Sequence, residues 1–453
     1  MDVIAAISTA NALSAIGIVR VSGEGCFAIC DKVFQPDKGG LFSDARPREM
    51  VLGRLLDRER RAIDSCLAVR FPGPGSYTGE DCAELHCHGS PVVLGEALEA
   101  LFAAGARQAG RGEFTQRAFL SGRMDLTQAE AVIDLIESET AQAARNAVEQ
   151  LGGALRRKIE PVYDRLLDLT SQFYAVVDYP DEDIEDLRRE DMLRMLRSAE
   201  ETLGALLATF RRGKILRQGV PAAILGRPNV GKSSLLNALL GYDRAIVTDV
   251  AGTTRDTVEE KAVVGGVLLR LIDTAGIRDT GDAVERLGVE RARSAAAEAE
   301  LALLVLDGSR PLTDEDRAAA RAARTAPHVI VIRNKSDLPQ SPAFALPEGT
   351  GSALAVSARE GTGLAELEEA VAALFPAGEV PPGQVLTNAR QAEAVERAVS
   401  ALRGAGEALE NGLTPDAALS DAERALAALG ELTGRTLRED LVARIFERFC
   451  VGK

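Results

Sequence analysis

The sequence predicts three structural parts: an α+β domain at the N-terminus, an all-α domain, and an α/β domain inserted into the all-α one. Short apolar runs separated by Gly and Pro turns, such as Phe71-Pro-Gly-Pro-Gly75, fill residues 1–118 and predict the first. Apolar spacings of three and four from Leu126 to Ala208, and Ala/Leu-rich sequence again after residue 384, predict amphipathic helices. Between these stretches strand-like runs alternate with helical segments, the signature of a parallel sheet. The resulting boundaries are 1–118, 119–214, 215–377 and 378–453, with the second and fourth segments forming one helical domain.

Element by element, Ile16-Gly-Ile-Val-Arg20 reads as a strand. Cys82, Glu84, His86 and His88 would share one face of another, because side chains alternate. Neighbours on one strand splay along it, whereas zinc ligands converge from separated elements, so a half-buried strand with satisfied polar groups is expected there. Ala129, Val132, Ile133 and Ile136 stripe one helix, and Pro161 and Pro180 are expected to break the helical stretch. After the basic cluster Arg211, Arg212, Lys214 and Arg217 come strand runs at 222–225, 268–272, 301–306, 329–332 and 353–356. A Pro-rich joint, 375–383, ends this part. Finally Leu437, Leu441, Ile445 and Phe449 form a stripe that leads to Cys450.

Composition narrows the function. The 453 residues include 68 acidic and 53 basic side chains, a formal charge of −15, which argues against a chain whose whole surface binds nucleic acid or anionic membrane. Six cysteines in so long a chain do not make a disulfide framework, and a reduced compartment with mostly buried thiols is expected. The longest apolar runs, Leu301–Leu306 and Ala370–Phe375, fall far short of the ~18 residues of a spanning helix. Asp2 stands where a secretory signal needs positive charge. A cytoplasmic location without membrane contact is expected.

Four motifs carry chemistry. Gly226-Arg-Pro-Asn-Val-Gly-Lys-Ser233 has the P-loop pattern between a strand run and the helical run from Ser234. Glycines 226 and 231 allow the backbone N–H groups of Asn229, Val230, Gly231, Lys232, Ser233 and Ser234 to curl round phosphates. Lys232 neutralises β/γ-phosphate charge and the Ser233 hydroxyl can ligate Mg²⁺. Asp273, Thr274, Ala275 and Gly276 follow a strand and suit a loop that holds Mg²⁺ through water and approaches the γ-phosphate. Asn334, Lys335 and Asp337 follow another. A carboxylate such as Asp337 accepts N1–H and the exocyclic amine of guanine, a donor pair adenine lacks. Ser357, Ala358 and Arg359 add a backbone N–H aimed at guanine O6. Four motifs in order, each at a strand end, identify a Ras-like GTP/GDP domain. Ile277 stands where Ras-like switches carry a water-positioning Gln, so another group must orient water. The segment Thr248, Asp249, Val250, Ala251, Gly252, Thr253, Thr254 is long enough to fold over the phosphates, and a monovalent cation there would act as a built-in arginine finger. Asp282, Glu285 and Glu290 are the nearby carboxylates, which otherwise read as a solvated charged face.

Long tracts of the chain resemble the MnmE (TrmE) family of bacterial tRNA-modification GTPases: the P-loop tract through Asn237, residues 245–256, Tyr77-Thr-Gly-Glu-Asp81, Gly112-Glu-Phe-Thr115 with Arg117-Ala-Phe-Leu120, and terminal Phe449-Cys-Val-Gly-Lys453. The resemblance implies an N-terminal domain with the fold of folate-binding aminomethyltransferase modules, which dimerises and binds 5-formyl- or 5,10-methylene-tetrahydrofolate. Arg20, Glu84, Arg123 and Lys453 match the family's folate contacts, with Arg123 where a Lys is common and Ser90 in place of the second Gly of a His-Gly-Gly pattern. It further implies K⁺ held at Asn229, Thr248, Val250 and Thr253, and Thr254 joining Ser233 on Mg²⁺. Glu285 matches the catalytic, water-orienting glutamate, and Cys450 falls near the folate, where a thiolate could assist one-carbon chemistry. The implied partner is the FAD protein MnmG, in a heterotetramer that installs an aminomethyl or carboxymethylaminomethyl group on C5 of the wobble uridine of certain tRNAs. Two other readings compete: a ribosome-assembly or signalling GTPase without substrate chemistry, and a folate-dependent aminomethyltransferase with a regulatory G domain.

Overall fold

A computed structural model describes residues 2–10, 12–178, 188–242, 260–272, 294–376, 381–436, 445–446 and 449–452. The chain folds as two compact units. One comprises Met1–Ile133, Gln150–Glu200 and Arg397–Lys453, the other Asp134–Glu149 and Glu201–Glu396.

In the first unit seven strands form one sheet: β1 (Ile4–Ile7), β2 (Ser14–Ser22), β3 (Phe34–Pro36), β4 (Val51–Leu56), β5 (Ala62–Phe71), β6 (Cys82–Gly89) and β7 (Arg107–Gln108). Their order is β3-β4-β5-β6-β2-β1-β7, antiparallel except for the β1–β7 pair. Alternation along each strand sorts side chains between faces. Val3, Ala5, Val19 and Val21 enter the main core with the helices Cys26–Val33 and Pro91–Ala104, whereas Ile4 and Ala6 face a smaller cluster with Ala109, Phe114 and Tyr77. Ser90 precedes Pro91 at φ −85°, ordinary backbone for any residue, which is why the position tolerates a side chain.

The helix Ala154–Asp178 of this unit runs straight through Pro161, contrary to the expected break. Proline in a helix interior costs about 3 kcal/mol. Pro161 lies on the exposed side, while Leu155, Ile159, Val162, Leu166 and Leu169 are buried on the other; at about 1.5–3 kcal/mol per buried side chain, burial exceeds that cost. The helix packs against Pro415–Thr433. Pro180, Leu437 and Leu441 lie outside the described residues. The rest of the C-terminal stripe behaves as expected: Phe446 and Phe449 bury with Ala129, and Ile445 packs beside them.

In the second unit the strands β8 (Val220–Leu225), β9 (Glu260–Val264), β10 (Val267–Leu271), β11 (Leu301–Asp307), β12 (His328–Asn334) and β13 (Ala353–Ala355) form a sheet ordered β13-β12-β11-β8-β10-β9. Five strands are parallel. The sixth, β9, runs antiparallel to β10 across a Gly265-Gly266 turn, so the sheet is mixed rather than purely parallel. Its pattern Glu-Lys-Ala-Val-Val is too short and half-polar to stand out from a loop in the sequence. Both faces are covered: Ala222 and Ile224 pack with Leu235, Leu239 and Leu367, and Ala223 and Leu225 with Ala320 and Ala323. That explains the near-continuous apolar strand runs.

Candidate functional site

Three loops at the carboxyl ends of β8, β12 and β13 meet, the position at which open α/β sheets bind ligands. After β8 the chain turns through Gly226 (φ +152°), Asn229 (+63°) and Gly231 (+101°) into the helix Lys232–Tyr242. A Cβ on Gly226 would lie 2.4 Å from the Val305 carbonyl, and one on Gly231 only 2.2 Å from Asn334 Nδ2. Neither position admits a side chain. The loop thus opens onto a helix N-terminus, whose amides and dipole favour an anion.

Lys232, in the first helical turn, donates to the carbonyls of Gly226 (2.8 Å) and Arg227 (2.9 Å). Burial, and secondarily the Arg227 guanidinium, push its pKa below the ordinary lysine value. Among the described residues its hydrogen bonds go to carbonyls rather than carboxylates, as suits a group that meets phosphate. Ser233 is half-buried in the first turn and Ser234 is exposed.

Asn334, 3% exposed at the end of β12, joins the loops. Its Nδ2 donates to the Val230 carbonyl (2.8 Å) and its Oδ1 accepts the Ala358 N–H (3.0 Å). Of the backbone amides in the 357–359 motif expected to aim one N–H at guanine O6, that of Ala358 is engaged by Asn334. Lys335 donates to the Asn229 carbonyl (3.0 Å) and to Asp307 Oδ2 (2.7 Å). Asp337 is exposed and accepts the Ser357 hydroxyl (2.6 Å), while Arg359 is exposed next to it in the 357–359 loop. Sequence reasoning missed Asp307 and the pair Arg227–Asp316 (3.2 Å). One signal was available: a carboxylate closing an otherwise fully apolar strand, Leu301–Asp307.

Of the remaining residues expected near the nucleotide, Thr248, Asp249, Val250, Ala251, Gly252, Thr253, Thr254, Asp273, Thr274, Ala275, Gly276 and Glu285 lie outside the described residues, as does Lys453 of the expected folate contacts.

On the sheet of the first unit Arg20 and Glu84 are register partners across β2 and β6. Arg20 Nε donates to Glu84 Oε1 (2.9 Å), and the guanidinium lies over the rings of Tyr77 (5.1 Å) and Phe114 (5.7 Å). Glu84 also contacts His86 (3.3 Å), and the exposed His88 bonds Asp64 (2.8 Å). The polar groups of the β6 face thus have partners along the sheet, and among the described residues no group of three metal-ligating side chains converges.

Arg117, 4% exposed, anchors the loops beside this face by bonding Glu80 (2.9 Å), Glu113 (2.9 Å) and Asp2 (3.0 Å). Burial opposes ionisation of Glu113, but donors from Arg107, the Gly110 amide and Arg117 outweigh it and hold its pKa at about 2. These contacts account for the Glu80, Glu113 and Arg117 positions of the tracts noted above. Arg123 is exposed, with its Cγ 3.1 Å from where a Cβ on Gly79 would lie. The C-terminal tail docks on the same unit: the Cys450 carbonyl accepts the Gly112 N–H (3.2 Å), Val451 bridges to Arg111, and the Gly452 carbonyl accepts the Ser8 hydroxyl (2.9 Å). Cys450 is exposed, whereas the other five cysteines are buried. Burial raises the Cys82 thiol to about 12, and of the six thiols that of Cys450 is the exposed one.

Comparison with known proteins covers the whole chain. A model described as the MnmE helical domain matches residues 126–450, and one described as the GTP-binding protein TrmE N-terminus matches residues 3–123. Among curated relatives, the tRNA modification GTPase MnmE of Alkaliphilus metalliredigens is 42% identical over 458 residues, spanning 100% of this chain and 99% of its own. That of Heliobacterium modesticaldum is 43% identical over 464 residues with the same coverage. The Lactococcus lactis subsp. cremoris (strain MG1363) protein is 42% identical over 455 residues, covering 100% and 98%.

Proposed function

The chain belongs to the MnmE family of tRNA modification GTPases, and from that premise we propose that it is a K⁺-dependent GTPase acting with the FAD protein MnmG. Together they use a tetrahydrofolate one-carbon unit to install an aminomethyl or carboxymethylaminomethyl group on C5 of the wobble uridine. The observation that carries the GTPase reading is Asn334 tying the Val230 carbonyl to the Ala358 amide, which sets phosphate loop and base-reading loop around one volume. GTP enters with its phosphates on the amides of 229–234 and beside Lys232, and its guanine on the exposed Asp337 carboxylate. Ser233 and Thr254 would hold Mg²⁺. Asn229, Thr248, Val250 and Thr253 would hold K⁺, which supplies positive charge where the transition state gains negative charge. Glu285 would orient the attacking water. In this reading 215–377 is a G domain inserted into a helical domain of 119–214 and 378–453, which agrees with a helical-domain match that spans residues 126–450.

The folate reading rests on Arg20, whose guanidinium lies over two aromatic rings, and Glu84 paired with it, a donor–acceptor pair suited to a pterin edge. Arg123 and Lys453 would complete the contacts, and Cys450 would assist transfer. Exposed Leu52 and Leu67 are register neighbours on β4 and β5, which supports a homodimer through the N-terminal domain, itself the core of a heterotetramer with MnmG. Among the described residues no helix is long and apolar enough to cross a membrane; a cytoplasmic location is part of the proposal. The test pairs nucleoside analysis of bulk tRNA from cells lacking the protein with GTP turnover in K⁺ and Na⁺ at equal ionic strength. Loss of the modified wobble uridine and faster turnover in K⁺ are expected; unaltered nucleosides or equal rates would overturn the corresponding half.

A further inference from the structure

We propose that Asp307 is a positioning residue of the phosphate loop, acting through Lys335 on the backbone of Asn229 and so on the K⁺ requirement of hydrolysis; the inference rests on the GTPase reading above. Asp307 is 4% exposed at the end of β11. Its Oδ1 accepts the Ser309 N–H (3.0 Å) and hydroxyl (2.6 Å), which fixes the carboxylate's own orientation. Its Oδ2 faces two cations, Lys335 Nζ at 2.7 Å and the Arg227 guanidinium at 3.9 Å. Burial works against the charge of Asp307, but the Lys335 and Ser309 donors outweigh it and keep its pKa below the ordinary carboxylate value.

The two cations lead to the same short stretch of backbone. Lys335 spends a second proton on the Asn229 carbonyl at 3.0 Å, and both residues so joined sit at φ +63°, a conformation that non-glycine residues keep only when neighbours hold it. Arg227, two residues before Asn229, is shared with Asp316 Oδ2 at 3.2 Å. Asp316 in turn closes the capping box with Thr313 at the start of the helix Asp314–Ala323. Loss of Asp307 would leave Arg227 its second carboxylate, but would leave Lys335 with no counter-charge to aim it at Asn229. Asp307 reaches the nucleotide site through these two residues, so what it controls is where residue 229 stands.

Asp307→Asn keeps the shape and removes the charge. The K⁺ concentration for half-maximal GTP hydrolysis is expected to rise about tenfold, the worth of one charge-assisted hydrogen bond, with turnover at saturating K⁺ within about twofold. GDP affinity, measured in Na⁺, is expected to fall several-fold. A residue serving only the fold would lower the melting temperature or active fraction without moving the K⁺ midpoint. In a Lys335→Gln background Asp307→Asn should shift the midpoint no further, because the relay is already cut. Should Asp307→Asn fail to fold, Asp307→Glu, which moves the charge by one methylene, carries the same expected rise. An unchanged midpoint and GDP affinity in a folded variant, or additive effects in the double variant, would overturn the relay. Equal rates of the unmodified protein in K⁺ and Na⁺ would instead sink the parent reading, and the relay would then stand or fall on GDP affinity, which needs no K⁺.

Discussion

The nucleotide loops of the second unit and the seven-stranded sheet of the first hold their polar side chains by different means. In the loops the side chains reach backbone: Asn334 to the Val230 carbonyl, Lys335 to that of Asn229, Lys232 to those of Gly226 and Arg227. On the sheet side chain pairs with side chain, as in Arg20–Glu84, and so it does beside the sheet, where Arg117 of the helix Glu113–Leu120 pairs with Glu80 and Glu113. A backbone that must wrap an anion can be braced only by particular residue types at particular offsets, so its chemistry is written in contiguous motifs. A cross-strand ion pair needs only opposite charges in register, and the register is set by folding.

The largest effect is expected at Asp337, the carboxylate proposed above to read the base. Asp337→Asn replaces the acceptor of two guanine N–H groups with an amide that can meet only one. Hydrogen bonds to a charged group contribute about 1.5–3 kcal/mol each, so GTP affinity should fall roughly 10- to 150-fold and discrimination against ATP should shrink, as read by competition for a fluorescent GDP analogue. Full affinity and discrimination in the variant would mean that the exposed Asp337 is not the reader and that the Ser357 contact (2.6 Å) is its whole role.

That difference in bracing also sets what was legible in the sequence. The P-loop, the Asn334–Asp337 motif and five of the six strands of the second sheet stand out because Gly positions, apolar runs and motif offsets are local. Asp307 did not, since its partners Lys335 and Arg227 lie 28 and 80 residues away and only strand order brings them together. Only family resemblance marks Arg20 and Glu84 as folate contacts; their pairing emerges from the β2–β6 register. Pro161 misled because helix breaking is a local rule and the five apolar residues buried along the same helix outweigh it.

A second prediction probes the ion-paired side. Glu113 titrates at about 2 in the fold against an ordinary value near 4.5, so its folded-state pKa is depressed. The stability it contributes is fully present above about 4.5 and is lost as pH falls through the window from 4.5 to 2. With the side chain 13% exposed and its partners shared, about 1–2 kcal/mol is expected, short of the roughly 3 that the full shift would give. Glu113→Gln should lower the melting temperature near pH 7 and flatten its acid dependence in that window. An acid limb as steep as that of the unmodified protein would assign the stability to other carboxylates.

The smallest structural effect is expected at the C-terminal tail, where backbone and side chain can be separated. The fold uses the Cys450 carbonyl, which accepts the Gly112 N–H, and the Gly452 backbone at φ +100°, where a Cβ would fall 2.1 Å from the Ile7 carbonyl. The thiol itself is exposed. Cys450→Ser should therefore change stability by no more than about 0.5 kcal/mol, as surface substitutions do, and should leave the thermal shift given by 5-formyl-tetrahydrofolate intact. Gly452→Ala should undock the tail and reduce both. If the thiol acts in transfer, Cys450→Ser cells lose the modified wobble uridine although the purified protein melts and binds folate normally, and that combination is the expected outcome. Normal nucleosides in those cells would return Cys450 to a tail residue whose contribution is its backbone alone.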